Sequence, residues 1–243
     1  MRKFVDLHLI APIKNLAEFE SFIRKASTLG YKMVGVPLPA NIEKEKIEQL
    51  KSIAKNFNLD LVTRLNLKPE SARNLLKNLR RYRRKFEVIS VRCLSKAVAR
   101  QAAKDRRVDL LDFIENPKKR FFDKAEAELA SNSLAALEVE AKQILISPFP
   151  RRIHLISRIR TEIEIALKYD IPVVFSSGAD NLIYMRTPRD LAAFFSTLLD
   201  LSKEEVLNFL SNVPKSLVER NREKLSENFV APGIRIVKRG GDC

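Results

Sequence analysis

Residues 3–36 read KFVDLHLIAPIKNLAEFESFIRKASTLGYKMVGV and contain the pattern that decides the fold. The alternating segment Lys3–His8 predicts a β-strand, and Lys32–Val36 predicts a second one. Between them, apolar residues recur at helical spacing from Asn15 to Leu29, and Gly30 closes the turn. This strand–helix–strand unit predicts two parallel strands joined by a right-handed helical crossover.

The same unit recurs along the rest of the chain. Further strands are predicted at Leu59–Leu65, Glu87–Val91, Val108–Ile114, Leu134–Val139 and Ile171–Phe175. Further helices are predicted at Ile42–Ala54, from Pro69 onward, and at Ser95–Arg107, Asp123–Ala130, Arg152–Lys168, Arg189–Leu199, Glu204–Leu210 and Lys215–Leu225. Seven or eight such units in 243 residues favour an α/β fold closed into a single TIM-like barrel, residues 1–227, with extra C-terminal helices. Residues 228–243 are expected to form a flexible tail.

Positive charge is concentrated in one part of the chain. Lys and Arg number 45 against 30 Asp and Glu, a net charge of +15. Residues 64–120 alone hold 18 Lys and Arg against 6 Asp and Glu, a difference of 18 − 6 = +12. Cations crowded together without partners repel one another unless a polyanion binds them, so this distribution favours a nucleic-acid partner.

Several classes of chemistry lack their residues. The six glycines form neither GxGxxG nor GxxxxGK, which argues against dinucleotide and P-loop sites. Two histidines leave little imidazole for acid–base work, and the absence of Trp argues against base stacking. No stretch approaches the roughly 18 apolar residues of a membrane span. Without such a stretch we expect no membrane partner. Cys93 and Cys243 form neither a disulfide framework nor a zinc pattern, so we expect a protein of the reducing cytoplasm.

Asp6 and His8 stand out at the end of the first predicted strand. Strand alternation places both side chains on one side, and the carboxyl ends of barrel strands form the functional face. Glu138 and Asp180, near the ends of the sixth and seventh strands, are the further candidates for a metal site. The alternative is a buried Asp–His pair that fixes the barrel mouth, and it is favoured because a metal site needs three or more convergent ligands.

Cations are the main candidates for RNA contact. The run Arg80, Arg81, Tyr82, Arg83, Arg84, Lys85 places five cations at the end of a predicted helix, where the helix dipole accounts for only one or two. Cations in or after predicted strands would make the barrel mouth electropositive; these are Arg64, Arg92, Lys118, Lys119, Arg120 and Lys142. Arg158, in the long helix, fits either RNA contact or a solvated helix face. The turn Ser176–Gly178 is either a phosphate-binding loop or a plain tight turn.

Several segments resemble a known family. FVDLH (4–8), VISVR (88–92), DLLDF (109–113) and VVFSSGA (173–179) resemble, in order and spacing, the ribonuclease P protein component 3 family, and the resemblance extends to about Leu225. It implies a barrel similar to the polymerase-and-histidinol-phosphatase (PHP) metallophosphoesterases. Their metal-binding HxH strand is replaced here by Asp6-Leu7-His8, so the resemblance implies that the metal chemistry was lost.

The resemblance also implies a function. It is that of a protein subunit in the complex that removes 5′ leaders from precursor tRNA, with ribonuclease P RNA as the catalyst and a small ferredoxin-like protein subunit as a further partner. The chain is then expected to bind no cofactor, with magnesium bound through the RNA. Two alternatives stay open: a metal-dependent phosphoesterase built on Asp6, His8, Glu138 and Asp180, and a generic basic RNA-binding barrel.

Overall fold

Seven parallel β-strands form the centre of the protein. The computed structural model describes residues 2–231 and 234–235. The strands pair in sequence order and are β1 (Phe4–Asp6), β2 (Tyr31–Pro37), β3 (Asp60–Leu67), β4 (Val88–Arg92), β5 (Leu110–Asp112), β6 (Ala136–Glu140) and β7 (Val173–Ser176). Because each strand is parallel to the next, a crossover must follow every strand, and the sheet curls into the predicted TIM-like barrel, which is nearly closed.

Helices follow the strands and pack around them. Their bounds are α1 (Leu16–Thr28), α2 (Lys44–Asn56), α3 (Ala72–Tyr82), α4 (Lys96–Lys104), α5 (Lys124–Ser131), α6 (Ala141–Ile146), α7 (Arg151–Lys168), α8 (Pro188–Leu199), α9 (Lys203–Phe209) and α10 (Asn212–Leu225). The helical spacing that predicted α1 buries Phe19, Phe22, Ile23 and Ala26. Among the residues that the structure describes, no helix is both long and apolar enough to cross a membrane.

The barrel closes where β1 and β7 meet. The Asp6 carboxylate accepts hydrogen bonds from the backbone N–H of Ser177 at 3.0 Å and from its hydroxyl at 2.5 Å. Just beyond β1, Leu9 forms a parallel bridge with Ala179. Side-chain and backbone contacts therefore join the two strands where the regular strand ladder does not.

The interior of the barrel has an apolar half and a polar half. Near the amino-terminal ends of the strands, Leu217 and Val218 of α10 pack against an aliphatic cluster made of Val5, Leu7, Met33, Val62, Val88, Leu110, Ala136 and Val174. Two residues further along the strands the inward positions become polar, as at Arg64 and Glu138. We call the end covered by α10 the floor and the carboxyl-terminal end of the strands the mouth.

Gly35 in β2 allows β1 to approach closely. A Cβ atom at this position would lie 2.4 Å from the carbonyl oxygen of Leu7, far inside van der Waals contact. The same carbonyl accepts a hydrogen bond from Arg64 Nη1 at 2.9 Å. The glycine is therefore needed for the arrangement of charges at the mouth.

Local details differ from the sequence prediction. Helix α3 begins at Ala72 and not at Pro69, because the Ser71 hydroxyl caps it by accepting from the N–H of Asn74 at 3.2 Å. The short helix α6 was not predicted. In the predicted tail, β8 (Phe229–Ala231) and β9 (Ile234–Arg235) pair as an antiparallel hairpin, and residues 232–233 and 236–243 lie outside the described residues.

Candidate nucleic-acid interface

Arg64 lies at the centre of the mouth and is fully buried. Its two terminal nitrogens donate to the two carboxylate oxygens of Glu138, each at 2.6 Å. Burial by itself would lower the pKa of Arg64 and raise the pKa of Glu138, but each charge stabilises the other, so the pKa of Arg64 is raised and that of Glu138 is lowered. The prediction that Arg64 contacts RNA is wrong, because no part of its guanidinium reaches the surface.

A chain of hydrogen bonds continues from Arg64 across the mouth. Arg64 Nε donates to Asn66 Oδ1 at 2.6 Å, which leaves Asn66 Nδ2 as the donor to His8 Nε2 at 2.9 Å. His8 must then carry its proton on Nδ1, which donates to Glu140 Oε1 at 2.6 Å. These two hydrogen bonds fix the His8 ring as a link between β3 and β6.

Arg92 and Asp112 form a second ion pair at the mouth. Arg92 Nε donates to Asp112 Oδ2 at 2.6 Å, and Arg92 Nη2 lies 3.6 Å from Glu140 Oε1. The other oxygen, Asp112 Oδ1, has no hydrogen-bond partner in the described part of the chain. Burial, followed by the Glu140 carboxylate, raises the pKa of Asp112 to about 7. Burial acts in the same direction on Glu140, but His8 and Arg92 outweigh it and hold the pKa of Glu140 below its usual value.

These contacts decide the charge of the mouth. Two arginines, Arg64 and Arg92, face three carboxylates, those of Asp112, Glu138 and Glu140. The prediction of an electropositive mouth built on strand cations is therefore wrong. Arg64 of β3 pairs with Glu138 across the barrel on β6, and Arg92 of β4 pairs with Asp112 on the neighbouring β5.

Arg120 and Arg158 are also used inside the protein. Arg120 is buried, and its Nε and Nη2 donate to Glu162 Oε2 at 2.9 and 2.6 Å. Arg158 Nη2 donates to the carbonyls of Arg120 and Phe122, each at 3.1 Å. Together they tie the loop after β5 to α7. Burial leaves Arg120 no surface for the predicted RNA contact, whereas Arg158 is partly exposed and its RNA contact stays a prediction.

Two further predicted RNA contacts have carboxylate partners. Arg83 Nη1 donates to Asp109 Oδ2 at 2.5 Å, which anchors the end of α3 beside β5. Lys142 pairs with Asp180, so α6 is linked to the loop after β7. Neither cation has its charge free for a phosphate.

The turn Ser176–Gly178 is buried and internally bonded. The Ser176 hydroxyl donates to Glu138 at 3.0 Å, and both the N–H and the hydroxyl of Ser177 bond Asp6. Gly178 has φ +62°, and a Cβ there would lie 3.0 Å from an oxygen of Glu140. The turn serves the mouth network, so the phosphate-binding interpretation of Ser176, Ser177 and Gly178 is wrong and the tight-turn interpretation fits.

The predicted metal set is not brought together. Because β1 ends at Asp6, strand alternation does not extend to His8, and the Asp6 carboxylate lies in the seam with Ser177 while the His8 ring lies in the mouth. Asp180 lies on an exposed loop. Of the four predicted side chains, only His8 and Glu138 share one site.

His8, Glu138 and Glu140 do place potential ligand atoms within 4.8 Å of one another. Both oxygens of Glu138 are occupied by Arg64, however, and the Nδ1 proton of His8 is donated to Glu140. A divalent cation here would face a buried guanidinium and would have to displace it. The donor set therefore does not fit a metal centre of the PHP type.

Asn66, Asp112 and Glu140 complete the mouth and were not predicted. Glu140 follows Glu138 by two residues in β6, and Asn66 follows Arg64 by two residues in β3. Strand alternation places each pair on one face, so the same rule that selected Glu138 could have found Glu140.

Helix α3 and the residue two positions after it carry a dense group of cations without internal partners among the described residues. Leu75 and Leu79 are the buried residues of this helix. The opposite side carries a set of exposed cations at helical spacing, which we call the α3 face: Arg73, Lys77, Arg80, Arg81 and Arg84. In residues 2–231 no carboxylate pairs with any of them, and a shallow groove runs along the helix between them. Arg81 lies over the ring of Tyr82, with 5.3 Å from Cζ to the ring centroid.

Three other predicted cations are also exposed. Lys85 follows the α3 face directly, and Lys118 and Lys119 lie in the loop after β5 on the mouth side. None of the three forms an ion pair within the described ranges. Arg73 and Lys77, which extend the predicted run by two helical turns, were missed because they are separated in sequence from the dense cluster.

Comparisons with known proteins agree on one family. The family model described as RNase P subunit p30 matches residues 3–226. The ribonuclease P protein component 3 of Methanococcoides burtonii is 27% identical over 237 residues, which are 97% of this chain and 94% of that protein. The protein of the same name from Methanocaldococcus jannaschii is 27% identical over 197 residues, covering 80% and 83%.

Solved structures show the same barrel. A chain in a cryo-EM structure of archaeal ribonuclease P with mature tRNA superposes with a TM-score of 0.82 at 23% identity, covering 98% of this chain and all of that one. Aspergillus niger ochratoxinase superposes with a TM-score of 0.61 at 10% identity, covering 90% and 71%. The structural likenesses establish the fold, and the sequence match over nearly the whole chain establishes that the protein belongs to the RNase P subunit p30 family, as a ribonuclease P protein subunit.

Proposed function

We propose that the chain supports the catalytic RNA of ribonuclease P in removing 5′ leaders from precursor tRNA, and that the α3 face is its contact with the RNA backbone. The observation that carries this proposal is the α3 face itself, five exposed cations without a carboxylate partner in the described chain. Of the other predicted RNA contacts, Lys85 follows the α3 face directly, Lys118 and Lys119 lie in the loop after β5, and the rest are bonded within the protein.

Phosphates are the natural counterions for this surface. Helix α3 has no acidic residue, and the pairs Arg73–Lys77 and Lys77–Arg81 are like charges four residues apart, which destabilise a helix by about 0.2 to 0.5 kcal/mol each. Bound phosphates remove that repulsion and release the counterions condensed on the RNA. Because cations recognise the backbone and not the bases, the contact positions the RNA without reading its sequence.

The contribution of the chain to catalysis is then indirect. Cations aligned along α3 lower the repulsion between RNA segments and favour the compact, active RNA fold. The chain itself binds no cofactor, and magnesium is bound through the RNA. The acids and the histidine of the mouth serve structure, since each is engaged by Arg64, Arg92, Asn66 or one another.

The proposal includes partners and a location that follow from the family. Precursor tRNA and a small ferredoxin-like protein subunit are the further partners, and the complex works in the cytoplasm. Two observations support these partners. The structural neighbour is a chain of an archaeal ribonuclease P solved with mature tRNA, and the α3 face carries cations without a carboxylate partner in the described residues.

A reconstituted holoenzyme with Lys77→Gln, Arg80→Gln and Arg84→Gln tests the proposal. Each lost phosphate contact removes about 0.7 to 0.9 from the slope of log affinity against log salt, so this slope for ribonuclease P RNA should fall by about 2 to 3. Precursor tRNA cleavage at low magnesium should fall by about tenfold or more at 0.1 M salt.

The matched control is Lys14→Gln, Lys124→Gln and Lys168→Gln, which removes three exposed cations away from α3. Its slope of log affinity against log salt should differ from that of the unmodified protein by less than about 0.9, the value of one phosphate contact. Equal losses in both variants would mean that total charge and not the α3 face determines binding, and an unchanged α3 variant would remove α3 as the RNA contact.

A further inference from the structure

A cavity of about 570 Å³ opens at the floor of the barrel, opposite the mouth. Its apolar base is formed by Val5, Met33, Leu59 and Leu61, which are buried. Its polar lining is mostly cationic and comes from four separate parts of the fold: Lys3 before β1, Lys32 in β2, Lys51 and Lys55 on α2, and Lys215 and Arg222 on α10. We call this space the floor cavity; its volume is in the range of cavities that bind small ligands.

The carboxylates of the floor cavity are already occupied. Among the described residues, the carboxylates that line it are those of Asp60 and Glu219. Asp60 accepts from both terminal nitrogens of Arg222, at 2.6 and 2.7 Å, and Glu219 lies 3.3 Å from Lys215. No carboxylate remains for Lys3, Lys32 and Lys55, and none of these three lysines has an ion-pair partner in the part of the chain that the structure describes.

The placement of these lysines has a cost in stability. Lys51 and Lys55 are four residues apart on α2, where like charges destabilise the helix. Lys3 precedes β1 and Lys32 lies in β2, the strand paired with β1 from Phe4 onward, so two more ammonium groups enter the same cavity. An anion bound from outside would offset both repulsions.

The floor cavity is connected to the α3 face by further cations. A second cavity of about 600 Å³ lies between α2, the segment after α3 and α10. Its lining includes Arg84 and Lys85 on one side, and it shares Lys51 and Arg222 with the floor cavity. Glu48 and Glu87 also line this second cavity, and Lys51 lies 3.9 Å from Glu87, so Arg84 and Lys85 are the unpaired cations that extend the α3 face toward the floor.

We propose that the floor cavity binds the ribose-phosphate backbone of an RNA strand that continues from the α3 face, so that this barrel uses its floor, and not its mouth, as the ligand-binding end. The inference rests on the proposed function, since it extends the same RNA contact. Lysine suits this role because a mobile ammonium group acts as a point charge toward phosphate oxygens and requires no fixed geometry.

The test uses the full chain with Lys3→Gln, Lys32→Gln and Lys55→Gln, three lysines whose side chains form no hydrogen bond or ion pair with the described residues. The probes are a 20-nucleotide single-stranded RNA and the ribonuclease P RNA in the holoenzyme. For the single strand, three lost contacts of about 0.7 each lower the salt slope by about 2, and the affinity at 0.1 M salt falls on the order of 100-fold. The melting temperature should be unchanged or higher, because repulsion is removed.

The control with Lys14, Lys124 and Lys168 changed to Gln should keep its slope. A floor variant that binds like the unmodified protein, while the α3 variant loses slope, overturns the floor contact and leaves the proposed function intact. If both variants keep their slopes, the proposed function also falls. One further outcome would overturn the inference. If the holoenzyme made with the floor variant lacks a protein subunit while the salt slope of RNA binding is unchanged, the floor cavity binds a protein and not RNA.

If the triple floor variant fails to fold, Lys55→Glu gives the same answer. This position is exposed on α2 and lies outside the strands, so the fold should be retained. Charge reversal should lower the slope of log affinity against log salt by more than about 0.7, the value of one phosphate contact on a single strand. An unchanged slope would overturn the inference.

Discussion

The mouth of the barrel and its α3 face contain the same kinds of cation in opposite circumstances. At the mouth, Arg64 and Arg92 each have a carboxylate oxygen at 2.6 Å; Arg64 is fully buried and Arg92 is partly buried. On the α3 face, Lys77, Arg80 and Arg84 are exposed and have no carboxylate partner in residues 2–231. The difference teaches that net charge along a sequence indicates a polyanion partner, whereas only the fold shows which cations are free to bind it.

The largest expected effect comes from breaking the central pair of the mouth. Arg64→Met leaves Glu138 buried and without its guanidinium, and removing one partner of a buried ion pair costs about 3 to 5 kcal/mol. We expect that loss in the free energy of unfolding, measured by denaturant titration. RNA affinity, measured where the variant is still folded, should not change.

The double variant Arg64→Met, Glu138→Leu checks the cause. Once both charges are gone, no buried carboxylate is left unpaired, so a substantial part of the lost stability should return. If the double variant is as unstable as the sum of its single variants, the pair is not the centre of the mouth that we describe.

A smaller effect at the mouth depends on pH. The raised pKa of Asp112, about 7, means that the folded protein binds a proton there between about pH 4 and 7, where the unfolded chain has released it. The stability contributed by this group is therefore present at low pH and is lost as pH rises through 7. Asp112→Asn should remove this dependence and stabilise the protein by a few kcal/mol at pH 8, at about 1.4 kcal/mol per pKa unit.

Unfolding free energies at pH 5, 6, 7 and 8 measure this difference. In that range Glu140 stays ionised, because its pKa is held low, so it does not obscure the result. If the difference in unfolding free energy between Asp112→Asn and the unmodified protein does not increase from pH 5 to pH 8, the pKa of Asp112 is not raised by its burial.

The smallest expected effect concerns the free cations on the mouth side. Lys118→Gln with Lys119→Gln removes two exposed charges and at most about 1.4 to 1.8 of salt slope, less than the α3 variant. Stability should not change, because neither lysine has an ion-pair partner among the described residues. If this variant loses more of the salt slope of RNA binding than the α3 variant does, the main RNA contact is on the mouth side and not at the α3 face.

The fold could be predicted because it depends on local periodicity. Alternation and helical spacing located all seven barrel strands, with boundary errors where a cap overrides a proline, as at Ser71 and Pro69. The mouth could not be predicted from charge, because its ion pairs join residues far apart in sequence, such as Arg64 with Glu138 and Arg120 with Glu162. The predicted RNA contacts that have no ion-pair partner among the described residues lie on α3, directly after it, or in the loop after β5.

The bidentate contact between Arg64 and Glu138 has a consequence for how the subunit is made. The positive charge at the centre of this barrel is covalently part of the chain, so it is present in every newly synthesised copy and no chelator can extract it. The Glu138 carboxylate at the centre of the barrel is therefore balanced by a charge that folds with the chain, and its pairing requires no added cation.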